Sequence, residues 1–207
     1  RTWPDRRSEV ARRLAHVKGP ATVAKASINL LTECYAGEAD YLAGALNVAT
    51  VRHCGSTIAY NKSWTLGRTW RLNWLGDTHG AIIAELTRDG VTINAVASHL
   101  PPLKLAGVTY RWHCLDRLAK FLHGWKDPTV IGGDFNWRGM ESRAATLGLR
   151  SARTGPEMAT TGVLRKGQAI DYVLTRQMAV RRFQVLPGWG SDHHMLSVSL
   201  TAPGGDL

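Results

Sequence analysis

The stretch from residue 48 to 98 fixes most of what this chain can become. Its apolar and polar residues alternate in short runs, 48–53, 56–60, 64–75, 80–87 and 91–98, with Asp89-Gly90 as a hairpin turn. Five successive strands joined by short turns form a meander, which an alternating doubly wound α/β sheet does not contain. Helical spacing flanks the meander. It occurs at 5–17 (Val10, Leu14, Val17), at 38–46, and after Pro101-Pro102 at 108–124, where Trp112, Leu115, Ala119 and Leu122 are expected to be buried. Later strands are expected at about 128–133, 169–174 and 194–201, and the run 28–33 reads as another, buried strand. Helices around a meander predict an α/β sandwich in which two sheets pack together beneath outer helices, as one domain over residues 1–207.

Neither a bilayer span nor a zinc site fits the sequence. No apolar run approaches the roughly 20 residues a membrane helix needs, and the arginine-rich N-terminal segment lacks the apolar core of a secretion signal. Cys34, Cys54 and Cys114 have no neighbours at zinc-ligand spacing and read as reduced thiols, which points to an intracellular, cytoplasmic protein. A net charge of +10 favours a polyanionic partner. The excess is concentrated in 1–25 and 150–182, each with seven basic and two acidic residues. Nucleic acid is the expected partner, DNA first, with no membrane and a monomeric state; a solubilising surface charge is the bland alternative.

Polar residues at the ends of the apolar runs carry the chemistry. In Thr129-Val130-Ile131-Gly132-Gly133-Asp134-Phe135-Asn136, extended backbone places Asp134 and Asn136 on one side and turns Phe135 into the core. The two glycines leave room for a close approach, such as that of a phosphate. Asp and Asn also end strands through turns, so this segment alone is only suggestive. Asp171, within the strand-forming Ala169-Ile170-Asp171-Tyr172-Val173-Leu174, needs a partner if buried, and a histidine suits it. Ser191-Asp192-His193-His194 joins the Pro187-Gly188-Trp189-Gly190 turn to an apolar strand. Asp192 and His193 there suit metal binding or acid–base work, whereas His194 reads as structural. Glu33 and His99 also end apolar runs, so five separate runs place such groups at sheet ends. Trp64, Leu66, Trp70, Leu72 and Trp74 fall at even spacing and are expected to form one apolar strand face, while Trp137 and Trp189 lie beside the polar clusters and are candidates for substrate contact.

In order and spacing, Leu31-Thr32-Glu33, Ala97-Ser98-His99-Leu100, Gly132-Gly133-Asp134-Phe135-Asn136, Ile170-Asp171-Tyr172-Val173-Leu174 and Ser191-Asp192-His193 resemble the motifs of the endonuclease/exonuclease/phosphatase superfamily, which includes deoxyribonuclease I-like and exonuclease III-like enzymes. The resemblance implies a four-layered α/β/β/α sandwich of two mixed sheets and Mg2+-dependent hydrolysis of phosphate esters, with Mn2+ as a possible substitute. It implies that Glu33, supported by Asp192, binds the metal and that Asp134 orients or deprotonates the attacking water. Asn136 would hold the phosphate, His193 paired with Asp171 would polarise it or assist proton transfer, and His99 would donate to the phosphate or the leaving group. The family's first strand, ending in a metal- and phosphate-binding Asn ahead of the first helix, has no counterpart after Arg1. Asn29 lies within the Glu33 strand and cannot replace it. The expected activity is a DNA endonuclease; the alternatives are a phosphatase or phosphodiesterase acting on a small molecule or lipid headgroup, or a catalytically silent nucleic-acid-binding domain of the same fold. Substrate choice is expected to depend on loops at 101–107, 137–143 and 155–168.

Overall fold

The computed structural model describes residues 28–153, 169–186, 193–203 and 205–206, with the expected helix at 5–17 and loop at 155–168 outside them. The chain forms β1 (Ile28–Leu31), α1 (Ala36–Leu46), β2 (Val48–His53), β3 (Ser56–Asn61), β4 (Thr65–Leu75), β5 (His79–Arg88) and β6 (Val91–His99). It continues with α2 (Leu103–His123), β7 (Thr129–Asp134), α3 (Met140–Thr146), β8 (Arg150–Ser151), β9 (Asp171–Arg176), β10 (Ala179–Leu186), β11 (Met195–Ala202) and β12 (Gly205–Asp206). Among these, β8, β10, β12 and α3 lie beyond the elements expected from periodicity. The expected loops at 101–107 and 137–143 instead lead into α2 and α3.

Six strands form one sheet in the order β4-β5-β6-β7-β9-β8, mixed because β6 and β7 run parallel while their other neighbours are antiparallel. The facing layer consists of two three-stranded sheets, β1-β3-β2 and β10-β11-β12, rather than one continuous sheet, because no described strand joins β1 to β11. Strands β5 and β6 are buried along almost their whole length because both of their faces are covered. Ile82, Ala84 and Leu86 pack with Ile58, Tyr60, Ile93, Ala95, Ala97 and Val130 between the layers, joined by the half-buried Leu30 and Leu200. On the other face, Ala81, Ile83, Val96, Ile131, Tyr172 and Leu174 meet Cys114, Leu115, Leu118 and Leu122 of α2 and Met140 and Ala144 of α3. Helix α1 covers the small sheet through Ala39, Leu42 and Leu46 against Val48 and Ala59. The resulting layers are α/β/β/α.

Two expectations about burial change. Strand β4 does not keep its aromatic residues on one face: its register with β5 shifts between Leu66 and Thr69. An extra residue at such a bulge reverses the facing of everything beyond it. Trp64 therefore enters the core between the layers, whereas Leu72 and Trp74, with the partly buried Trp70, join the helix-side core, and Leu66 is exposed. Trp112 is not buried with Leu115 and Leu122 but is 41% exposed.

Candidate active site

The site is built where β6, β7 and β9 end. The Leu100 N–H donates to the Asp134 carbonyl at 2.9 Å, and the Phe135 N–H donates to the Ile170 carbonyl at 2.9 Å, so the three strand ends are tied just beyond their last pairs. Phe135 is fully buried, with its ring edge-on to Tyr172 at a centroid distance of 5.9 Å. That anchor fixes the residues on either side of it.

Asp134, 4% exposed, lies opposite Asp171 in the β7–β9 register. Two carboxylates facing each other repel unless cationic or hydrogen-bonding groups intervene, and His193 intervenes. Its Nδ1 lies 3.0 and 2.9 Å from the two Asp171 oxygens, and its Nε2 lies 3.8 Å from Asp134 Oδ2. His99 Nε2 approaches the same Oδ2 from the β6 side, at 3.9 Å. With Nδ1 donating to Asp171, the Nε2 of His193 faces the shared centre. Both Nε2 distances exceed a direct hydrogen bond.

Asn136 is not on an extended strand, because β7 ends at Asp134 and Asn136 adopts a left-handed conformation with φ 50°. Its backbone N–H turns back to donate to Asp134 Oδ1 at 2.7 Å, and its Nδ2 donates to the Leu100 carbonyl at 2.9 Å. This Asx-type turn leaves Asp134 Oδ2 for the two imidazoles. The glycines before it also serve a different purpose from the one expected. Leu30 and Thr32 pack over Gly132 and Gly133, and a Cβ on Gly133 would overlap the Ser98 carbonyl oxygen. The close approach is made by β1 and β6, which brings the end of β1 over the end of β7.

Glu33 sits in the bend directly after β1, exposed and with φ 54°. Its charge reaches His79, whose imidazole is held below its ordinary value by burial, opposed by a backbone hydrogen bond at Leu75 and by the Glu33 carboxylate. Asp134, Asp171 and His193 each present a ligand atom, all within 4.8 Å of one another. Carboxylate oxygens suit a hard divalent cation, and the imidazole is already engaged by Asp171, so the donor set fits an oxygen-ligated ion. Asp192 and Trp189 lie outside the described residues.

Two residues at the site escape periodicity. The His79 ring lies against His99, with centroids 4.4 Å apart, and is buried. The available signal was its position at the end of an alternating run, like the five groups singled out. Arg111, 5% exposed, donates to the Asn136 carbonyl and lies 5.2 Å from the Trp137 ring centroid. Its Nε has no hydrogen-bond partner among the described residues, and burial holds the guanidinium below its ordinary value. The signal here was the 111, 115, 118, 122 spacing, which puts an arginine in the apolar stripe of α2. Trp137 is half-buried and pairs with Trp112 at 5.5 Å, and Arg143 covers the Trp112 ring at 4.7 Å.

A four-layered sandwich with acids and imidazoles gathered at adjoining strand ends has the architecture of a phosphoester-hydrolysing class. Residues 3–193 match the Endonuclease/Exonuclease/phosphatase family, and the chain belongs to that family. No curated protein sequence matches it. Among solved structures, it is similar to TDP2 of D. rerio complexed with a single-strand DNA product, with TM-score 0.76 and 13% identity over 95% of this chain and 93% of that one. It is also similar to a functionally unknown conserved protein from Enterococcus faecalis V583, with TM-score 0.79 and 14% identity over 97% and 92%. A third similar structure is the mannosyl-6-phosphatase of Bacteroides thetaiotaomicron, with TM-score 0.68 and 13% identity over 96% and 91%. At these identities the likeness establishes the fold.

Proposed function

We propose that this protein is a Mg2+-dependent phosphodiester hydrolase, a nuclease that cuts DNA internally. The reading rests above all on Asp134 Oδ2, flanked at 3.9 and 3.8 Å by the Nε2 atoms of His99 and His193. A carboxylate between two imidazoles can take a proton from an attacking water while a cationic ring faces the phosphate. The polymer is inferred from the net charge of +10, since a small substrate needs no broad basic surface.

In this mechanism a water attacks phosphorus, the phosphorus–oxygen bond to the leaving group breaks, and Asp134 receives the proton. Asp171 holds His193 with Nδ1 protonated, so that Nε2 points at the phosphate. His99 gives the departing oxygen its proton, with His79 fixing the plane of its ring. Asn136 presents the amide hydrogen not used by Leu100 to a phosphate oxygen. Glu33 and Asp192 would hold the metal, which when bound offsets charge building on the phosphate oxygens. Trp137 would contact the substrate, a role the sequence also suggests for Trp189.

The test is to incubate the protein and its Asp134→Ala variant with Mg2+ on supercoiled plasmid, an abasic-site duplex, RNA and a small phosphomonoester. Nicking of the plasmid by the wild type alone is the expected result. Absence of Asp134-dependent cleavage of every polymer overturns the nuclease reading. Turnover confined to the phosphomonoester would instead place the protein with small-molecule phosphatases.

A further inference from the structure

A cavity lies near the site, its wall tied to Gly80 beside His99. Three segments wall it: Cys34–Ala36 between β1 and α1, Arg52–Gly55 at the β2–β3 hairpin, and Asp77 in the β4–β5 turn. Its volume is about 250 Å3, below the roughly 300 to 1,000 Å3 that encloses a drug-sized ligand, and it suits one planar ring system.

The wall carries an aromatic side chain that the core does not use. Tyr35 is 42% exposed. Its ring rests on Gly55, where a Cβ would come within 3.1 Å of it, and Gly55 itself has φ 71°. Glycine there lets the ring come close to the backbone while it lines the cavity. Around it, Arg52 is held by Asp40 at 2.7 Å, and His53 is engaged by Asn73 and, at 3.2 Å, by Cys54. Asp77 is exposed at the rim. One aromatic face and a hydrogen-bond acceptor at its edge match what a nucleobase offers, a π-face and N–H donors.

The cavity also adjoins the reacting centre from two directions. Tyr35 is two residues beyond Glu33, whose carboxylate, after burial, pushes the tyrosine hydroxyl up. Asp77 is two residues before His79, which stacks on His99. Ser56, next to Gly55, also donates its hydroxyl to the carbonyl of Gly80, which pairs with His99, so the cavity wall is tied to the strand whose imidazole faces Asp134.

We propose that this cavity is a base-binding subsite, in which an unpaired nucleobase next to the scissile phosphate stacks on Tyr35 with its polar edge toward Asp77. The proposal rests on the nuclease reading above. It makes the protein selective for strands whose bases are free to leave the stack, such as single strands, overhangs and the locally unpaired stretches of a negatively supercoiled plasmid, over blunt duplex.

The test measures binding of a fluorescein-labelled single-stranded 12-mer and of a blunt duplex of the same sequence, by anisotropy in EDTA, and then cleavage of both with Mg2+. Tyr35→Ala is expected to weaken single-strand binding by roughly 5- to 100-fold and to leave duplex binding within twofold. Tyr35→Phe and Tyr35→Trp restore the wild-type preference, and Asp77→Ala weakens single-strand binding to a lesser degree. Unchanged or equal losses on the two substrates with Tyr35→Ala, in a protein that still cleaves DNA, overturn the subsite alone. A wild type that neither binds nor cleaves either oligonucleotide overturns both the subsite and the nuclease reading.

Discussion

At the scale of single residues, the proposed mechanism separates groups that act from groups that orient, and substitution tells them apart. Asp134→Asn keeps the shape of the side chain and its bond from the Asn136 N–H, but loses the proposed general base. Cleavage is expected to fall on the order of 1,000-fold or more, measured as single-turnover rate. Asp171→Asn leaves His193 in place but removes the carboxylate that sets its tautomer, and is expected to cost about 10- to 100-fold. Equal losses for the two variants would contradict this division. Asp134, Asp171 and His193 are legible in the sequence because each stands at the edge of an apolar run. Their mutual approach is not, since Asp171 and His193 are 22 residues apart and meet only where two separate sheets pack together. Arg111 was hidden for a related reason: an arginine on a helix reads as solvent-facing until something shows that the face it occupies is the buried one.

At the scale of elements, the strand ends and the face of α2 can be tested separately. Gly133 is locked between Thr32 and the Ser98 carbonyl, with φ 148°. Gly133→Ala is expected to destabilise by roughly 3 kcal/mol or more, through overlap and a conformation alanine avoids. By contrast, Gly139→Ala, at φ 69° with nothing near the new methyl, costs about 1 kcal/mol; urea unfolding of both variants checks the contrast. In α2, the buried thiol of Cys114 is pushed up to about 11 from 9.0, mainly by burial. The unfolded chain therefore releases its proton at lower pH than the folded one. This thiol's contribution is complete below pH 9 and is lost as pH rises from 9 toward 11, by roughly 2 to 3 kcal/mol. Cys114→Ala is expected to flatten that part of the stability–pH curve, read by thermal melts between pH 8 and 11. The existence of most elements followed from periodicity, and the glycine pair marked a close approach. What approached, and the face reversal of β4, did not follow: alternation counts residues and cannot register the bulge between Leu66 and Thr69.

At the scale of the whole molecule, the layers explain why one end of the sandwich holds the chemistry. The large sheet supplies His79, His99, Asp134 and Asp171 from β5, β6, β7 and β9, while the β1-β3-β2 sheet lays Leu30 and Thr32, just before Glu33, over the glycines of β7, and His193 lies just ahead of β11 in the other small sheet. A site assembled from the ends of facing sheets depends on their packing, so its geometry rests on the apolar core between the layers. The chain carries a net charge of +10, and no helix among the described residues is long and apolar enough to cross a membrane. If that charge engages the polymer's phosphates, binding must release counterions, and affinity must fall with salt as a power law. For about four to six neutralised phosphates, the dissociation constant of a duplex longer than the contact region should rise by roughly 100-fold or more between 50 and 200 mM salt. The Tyr35 contribution, a stacking term, should be the same at both salts, because stacking releases no condensed cations. A Tyr35→Ala loss that grows or vanishes with salt would mean that the cavity acts through charge. A weak salt dependence of the whole protein would detach its basic surface from substrate binding and return the choice of substrate to the site's own residues.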